Sequence, residues 1–180
     1  MLRELGAVVV DADEATRAVY QPGTPGFDAV MREFGFDYVR NGHIDRGRLG
    51  ELVFHDPEAR ARLNAIVHPL VRQWMAERTA EAAERGARVV VQDVPLLFES
   101  NLEHLFSTVV LVYVPEAMQL HRLVHGRGFT PEAARAVIAA QTPIEEKRSR
   151  AEHVIDNSGT REETRAQVAS LWKELAHAES

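Results

Sequence analysis

The chain has no cysteine in its 180 residues, which excludes a disulfide framework, a thiolate metal site and a cysteine nucleophile. No apolar run approaches the roughly 18 residues that a membrane-spanning helix needs, and the first residues carry no apolar signal segment. No membrane association is expected, and the cytoplasm is the expected compartment. Positive charge is in deficit, with 21 Lys and Arg against 27 Asp and Glu and a formal net charge of −6. A nucleic-acid binder should show a basic balance, so no nucleic-acid partner is expected. No HExxH, CxxC, Ser-His-Asp order, internal repeat or low-complexity tract occurs. What is there is 45% hydrophobic, ample for the core of one ordinary domain.

The stretch that organises the rest is Ala7-Val8-Val9-Val10-Asp11-Ala12-Asp13. Three consecutive Val without polar alternation predict a parallel-sheet strand buried on both faces. Two carboxylates follow where the strand's carboxyl end would be, and ligands of open α/β sheets bind at that edge. Along an extended chain Asp11 and Asp13 would point the same way. The simpler alternative is that one of them caps the helix beginning near Glu14.

Further along, Leu2 to Leu5 followed by Gly6 reads as the last turn of a helix at a Gly C-cap. Gln21 to Gly26 is a double turn signal, and Phe27 to Phe34 a short amphipathic helix. Asn41-Gly42 marks a turn. Asp45 and Asp56-Pro57 start helices, and His68-Pro69 starts or kinks a long one that Gly86 ends. Residues from about Pro22 to Trp74 therefore form a helical insert between two strands. Arg88 to Asp93 and Thr108 to Val114 are further apolar strands, and His153 to Ile155 a short fourth. Thr142 with Glu145, and Thr160 with Glu163, are capping boxes. Alternating strands and helices indicate a parallel α/β sheet.

Acids at several strand ends suit a phosphoryl transferase, where they orient Mg²⁺ or accept a proton from an acceptor hydroxyl. Such chemistry needs cations too. Arg122 lies in a helix that runs into Gly126 and Gly128, and its expected role is functional. Lys147, Arg148 and Arg150 form a second cluster, for which a solvated face paired with Glu145 and Glu146 is the alternative. Asp93 is either Mg²⁺-linked or a cap. His68 is either a ligand-binding residue or, as its spacing favours, a core histidine. Trp74 and Trp172 read as core.

These pieces, in this order, resemble the dephospho-CoA kinase family. The matching residues are Val10-Asp11-Ala12-Asp13 with Arg17, Gln21-Pro22-Gly23-Thr24, Gly42-His43-Ile44-Asp45-Arg46 and Phe54 with Pro57. They continue with Leu63 to Leu70, Asp93 to Glu99, Gln119 with Arg122-Leu123, Arg127-Gly128, Ala139-Ala140-Gln141 and Val154 to Gly159. Small departures are Glu152, where the family usually has Asp, and Phe36-Asp37-Tyr38. A larger one is that no GxxxxGK[ST] occurs, whereas the family carries such a phosphate-wrapping loop ahead of a helix that ends like Leu5-Gly6. The expectation from the resemblance is that the chain begins inside that helix through a misplaced start or clipped gene model, and does not catalyse the reaction alone.

The resemblance implies a P-loop kinase fold with the acceptor-binding insert and a lid over about residues 122 to 150. It implies ATP-dependent phosphorylation of the ribose 3′-hydroxyl of dephospho-CoA, the last step of coenzyme A synthesis. ATP is the co-substrate, Mg²⁺ the ion, and no protein partner is required. By it Asp13 is the base and Arg122 the cation on the transferred phosphoryl group. Asp11, Arg17, His68 and Asp93 lie on the acceptor side, and Arg127 and Asn157 on the ATP side. The rival functions are an acceptor-binding protein without catalysis, and another nucleoside or nucleotide kinase of the same fold.

Overall fold

A computed structural model describes residues 1–177. The chain divides into two compact units, Ala7–Val94 and a second formed by Met1–Gly6 with the residues from Pro95 onward.

In the unit Ala7–Val94, strand β1 (Val8–Asp11) runs parallel to β4 (Val90–Asp93), with Val8 against Val90 and Asp11 against Asp93. Between them lie helices α2 (Ala12–Val19), α3 (Pro25–Phe34), α4 (Arg46–His55) and α5 (Pro57–Glu84), and a hairpin of β2 (Val39–Arg40) and β3 (His43–Ile44). The hairpin turns through Asn41 and Gly42, both at positive φ, the pairing that a two-residue primed turn requires. The predicted caps are present, Asp45 accepting from the Arg48 N–H and Asp56 from those of Glu58 and Ala59, and Thr24 also caps α3 by accepting from the Phe27 N–H. The helical insert has its own core of Phe27, Val30, Ile44, Leu49, Leu63 and Val67. A second cluster of Val10, Ala15 and Met75, with Trp74 and Val90 against it, covers the β1–β4 ladder.

Pro69 neither starts nor breaks a helix, because α5 is continuous through it. The bond it forfeits is offset by apolar packing of Val67, Val71 and Met75 on either side.

In the other unit, β5 (Val110–Tyr113) runs parallel to β6 (His153–Asp156). Helices α6 (Glu116–Arg127), α7 (Pro131–Ala139) and α8 (Ile144–Arg150) connect them. Helix α9 (Arg161–His177) follows β6, and α1 (Leu2–Leu5) ends at Gly6, which is left-handed at φ 109°. The Thr160–Glu163 capping box is reciprocal: each residue's N–H donates to the other's side chain, at 2.7 and 3.2 Å.

Two expectations are corrected. The strands are not buried on both faces throughout, since Val10, Val109, Leu111 and Tyr113 are buried while Val8 is 38% and Val112 59% exposed. Each parallel ladder has only two strands, so these Val positions lack cover on one side. The Thr142–Glu145 capping box does not form either. Pro143 precedes α8 without a side-chain cap, the Thr142 N–H donates to Glu99, and Glu145 accepts from the Tyr113 hydroxyl at 2.6 Å.

Candidate active site

Five of the sequence-predicted residues fall in the unit Ala7–Val94. Asp11 and Asp93 are register partners at the carboxyl ends of β1 and β4, so both acids stand at the ligand-binding edge of one parallel ladder. Asp11 is the N-cap of α2: its Oδ1 accepts from the N–H groups of Asp13, at 2.7 Å, and Glu14, at 3.2 Å. The helix already begins at Ala12, so the two acids do not point the same way along an extended strand as expected. Asp13 stands in the first turn of α2, and its carboxylate makes no hydrogen bond or ion pair and is exposed. Arg17, four residues on and one turn along the same face, is likewise exposed and unpaired.

Asp93 caps nothing and is exposed and unpaired. His68 is exposed on α5, which overturns the core-histidine alternative. The apolar contacts of that turn are made by Val67 and Val71 instead. Asp11 is thus structural as well as well placed, whereas Asp13, Arg17, His68 and Asp93 carry side chains free to meet a ligand.

The other three fall in the second unit. Arg122 Nη2 donates to the main-chain oxygen of Asn157 at 2.7 Å. The Asn157 N–H donates to Tyr113 O at 2.8 Å, and its side-chain oxygen accepts from the Thr164 hydroxyl. This holds Arg122 beside the carboxyl ends of β5 and β6. Gly126 lies within α6, and the helix stops at Gly128, left-handed at φ 72°. Arg127 is its last residue and is exposed and unpaired. Beside β5, α6, α7 and α8 lies a cavity of about 570 Å³, whose lining includes Gln119, Arg135, Gln141, Thr142 and Lys147.

The second basic cluster divides. Arg148 is exposed, 3.8 Å from Glu145 and over the Tyr113 ring. Lys147 and Arg150 are ties to the segment after β4. Arg150 pairs with Glu103 and Glu146, and Lys147 Nζ lies 2.6 Å from Glu99 Oε1, with side chains only 12% and 18% exposed. Glu99 also accepts from the Thr142 N–H at 2.9 Å, while its Oε2 is buried without a partner. Burial works to raise the Glu99 pKa, but the Lys147 ammonium and backbone N–H groups outweigh it and hold the carboxyl below its ordinary value. Sequence reasoning gave Glu99 no role, and its place at the end of Asp93 to Glu99 was the one available signal. Glu152 accepts from the Val109 N–H at 2.7 Å, tying the start of β5 to the turn before β6.

The dephospho-CoA kinase family model matches residues 1–163. The dephospho-CoA kinase of Geobacillus kaustophilus is 49% identical over 175 residues, covering 97% of this chain and 87% of that protein. The chain belongs to the dephospho-CoA kinase family. The enzyme of the same name from Thermobifida fusca is 47% identical over 171 residues, covering 94% of this chain and 84% of that one. Among solved structures, TT1252 from Thermus thermophilus matches with a TM-score of 0.80 at 33% identity, over 97% of this chain and 87% of that one. The dephospho-CoA kinase from Campylobacter jejuni matches in fold with a TM-score of 0.74 at 24% identity, over 99% of this chain and 89% of that one.

The fold class is therefore the helix-flanked parallel α/β architecture of the P-loop kinases. Membership makes the chain a transferase, in a family of kinases that act on dephospho-CoA with ATP as co-substrate. Among the described residues no helix is long and apolar enough to cross a membrane.

Proposed function

We propose that these residues serve phosphorylation of the ribose 3′-hydroxyl of dephospho-CoA from ATP, with Asp13 as the base, in a protein that also carries the phosphate-wrapping GxxxxGK[ST] loop, a motif this sequence does not contain. The observation that carries the reading is the unpaired Asp13 carboxylate, two residues past the Asp11 cap at the carboxyl end of a parallel ladder. There it can accept the hydroxyl proton as the phosphoryl group transfers, the usual contribution of a positioned base to this chemistry. Arg17 and His68, exposed and unpaired in the same unit, are the proposed contacts to the acceptor's anionic groups. Arg122 is the proposed cation on the transferring group, oriented by the Asn157 carbonyl. Arg127 and Asn157 are assigned to the nucleotide side. The insert (about 22 to 74) is proposed to bind the acceptor and residues of about 122 to 150 to act as a lid.

Mg²⁺ takes oxygen ligands and typically needs only one or two carboxylates beside substrate phosphates and water. The free carboxylate of Asp93, with Asp11 as its register partner, fits that donor set. Among the described residues no group of three or more His, Asp or Glu forms a metal cage. When bound, the ion would neutralise phosphate charge. A cytoplasmic location fits these soluble substrates.

The test is calorimetric binding of dephospho-CoA to this chain alongside a coupled assay for coenzyme A formed from ATP by a version that carries the GxxxxGK[ST] loop. Saturable binding and turnover, both weakened in Arg17→Ala and His68→Ala, are expected. Binding without turnover would keep the acceptor assignments and remove the catalytic one. Failure to bind dephospho-CoA at all would overturn the proposal.

A further inference from the structure

We infer that His121 and His125 form a binding site for one transition-metal ion on the outward face of α6. The two residues are one helical turn apart, and their rings already converge, with centroids 4.5 Å apart and planes inclined by 44°. Side chains at this spacing share a helix face, and a pair of histidines so placed is a recurring chelate for zinc. A tetrahedral Zn²⁺ holds its imidazole nitrogens about 2.0–2.1 Å away, which sets those nitrogens about 3.3 Å apart. Rings at the observed separation reach that geometry by side-chain rotation alone.

Among the described residues nothing competes for the pair. Both imidazoles are exposed and make no hydrogen bond or ion pair. The cavity beside α6 is lined by Glu116, Gln119 and Leu120. At about 100° per residue that is the side of the helix opposite the two histidines. Arg122 is the adjacent cation, and its guanidinium is engaged by the Asn157 carbonyl at 2.7 Å. Arg127 lies two residues beyond His125, across the helix, and Glu116 is on the cavity side.

Neutral imidazole selects ions of the Zn²⁺, Ni²⁺ and Cu²⁺ class over Mg²⁺ and Ca²⁺. With two protein ligands the remaining positions go to water, making the site open and exchangeable. The ion binds only where the helical turn is formed, so it stabilises that part of α6. Metal binding by the pair does not depend on Asp13 acting as the base.

The experiment titrates tag-free protein with Zn²⁺ alone and follows the histidine ring signals by NMR. The expected result is one ion per chain, with the His121 and His125 signals moving together and first. H121Q and H125Q should each weaken binding by at least about tenfold, while H43Q, another exposed histidine, should leave it unchanged. Both substituted side chains are exposed, and a circular dichroism spectrum matching the parent's confirms that each variant is folded. Absence of saturable Zn²⁺ binding, or binding that survives H121Q and H125Q undiminished, overturns the inference.

Discussion

Arg122 donates from Nη2 to the carbonyl of Asn157, 35 residues further along the chain, at 2.7 Å. The contact sets a cation from the middle of α6 at the carboxyl ends of β5 and β6, because Asn157 is itself bonded to the end of β5 through Tyr113. Arg148, although it belongs to the richer basic cluster, is spread over the Tyr113 ring and half exposed.

In a version that carries the phosphate-wrapping loop, Arg122→Ala is therefore expected to lower kcat/KM for dephospho-CoA phosphorylation by about 10²–10³, the usual loss for one preorganised transition-state donor. Arg148→Ala should change it by less than about tenfold, since exposed ion pairs contribute little. Steady-state kinetics of the two variants decide between them, and a larger loss from Arg148→Ala would refute the placement of the cation.

Asp11 and Asp13 should separate cleanly. Asp11→Ala removes the acceptor for two helix N–H groups and should cost about 0.5–2 kcal/mol of stability. Asp13→Asn breaks no bond in the structure, so its melting temperature should match the parent's, while in a version that carries the phosphate-wrapping loop kcat should fall by about 10²–10⁴. Denaturation and turnover measured on both variants test this, and an active Asp13→Asn enzyme would remove the base assignment.

Glu99 predicts a pH dependence. Its folded pKa is lowered, so the unfolded chain binds the proton more readily. The contribution to stability is full above the ordinary glutamate pKa of about 4.3 and is lost as pH falls through the lower folded value. Glu99→Gln should be less stable than the parent at neutral pH. The difference should shrink as acid is added below about pH 4, which urea denaturation at a series of pH values would reveal. A gap independent of pH would mean that the Lys147 contact is not what depresses the pKa.

Gly26 is buried where α3 begins, and a Cβ added there would meet Val19 O at 2.5 Å and Leu70 Cδ1 at 3.2 Å. Backbone cannot yield as a flexible side chain does, so Gly26→Ala should destabilise by about 1–3 kcal/mol. A melting temperature equal to the parent's would show that α2 and α3 can move apart at no cost.

Much of the local structure was legible because its causes are local. Asp45, Asp56 and Thr160 each cap the helix that follows, since the N–H groups they satisfy lie two or three residues away. The left-handed Gly6 and Gly128 end helices for the same reason. The carboxylates Asp11 and Asp93 were legible as site residues because apolar runs ahead of them marked the strand ends. Their division of labour was not legible. Whether a carboxylate caps a helix or stays free depends on where the helix starts, and α2 starts at Ala12, two residues before Glu14.

By itself the sequence determined the alternation of strands and helices, most helix caps, the family and the acids at the strand ends, all through interactions within a few residues or through recognisable order. Tertiary structure alone decided which polar groups became partners. Thr142 and Glu145 have the spacing of a capping box, yet Glu99, 43 residues from Thr142, and Tyr113, 32 residues from Glu145, take them instead. A half-buried carboxylate must be satisfied where it is desolvated, and that demand outweighs a solvent-exposed cap whose N–H groups water can also serve.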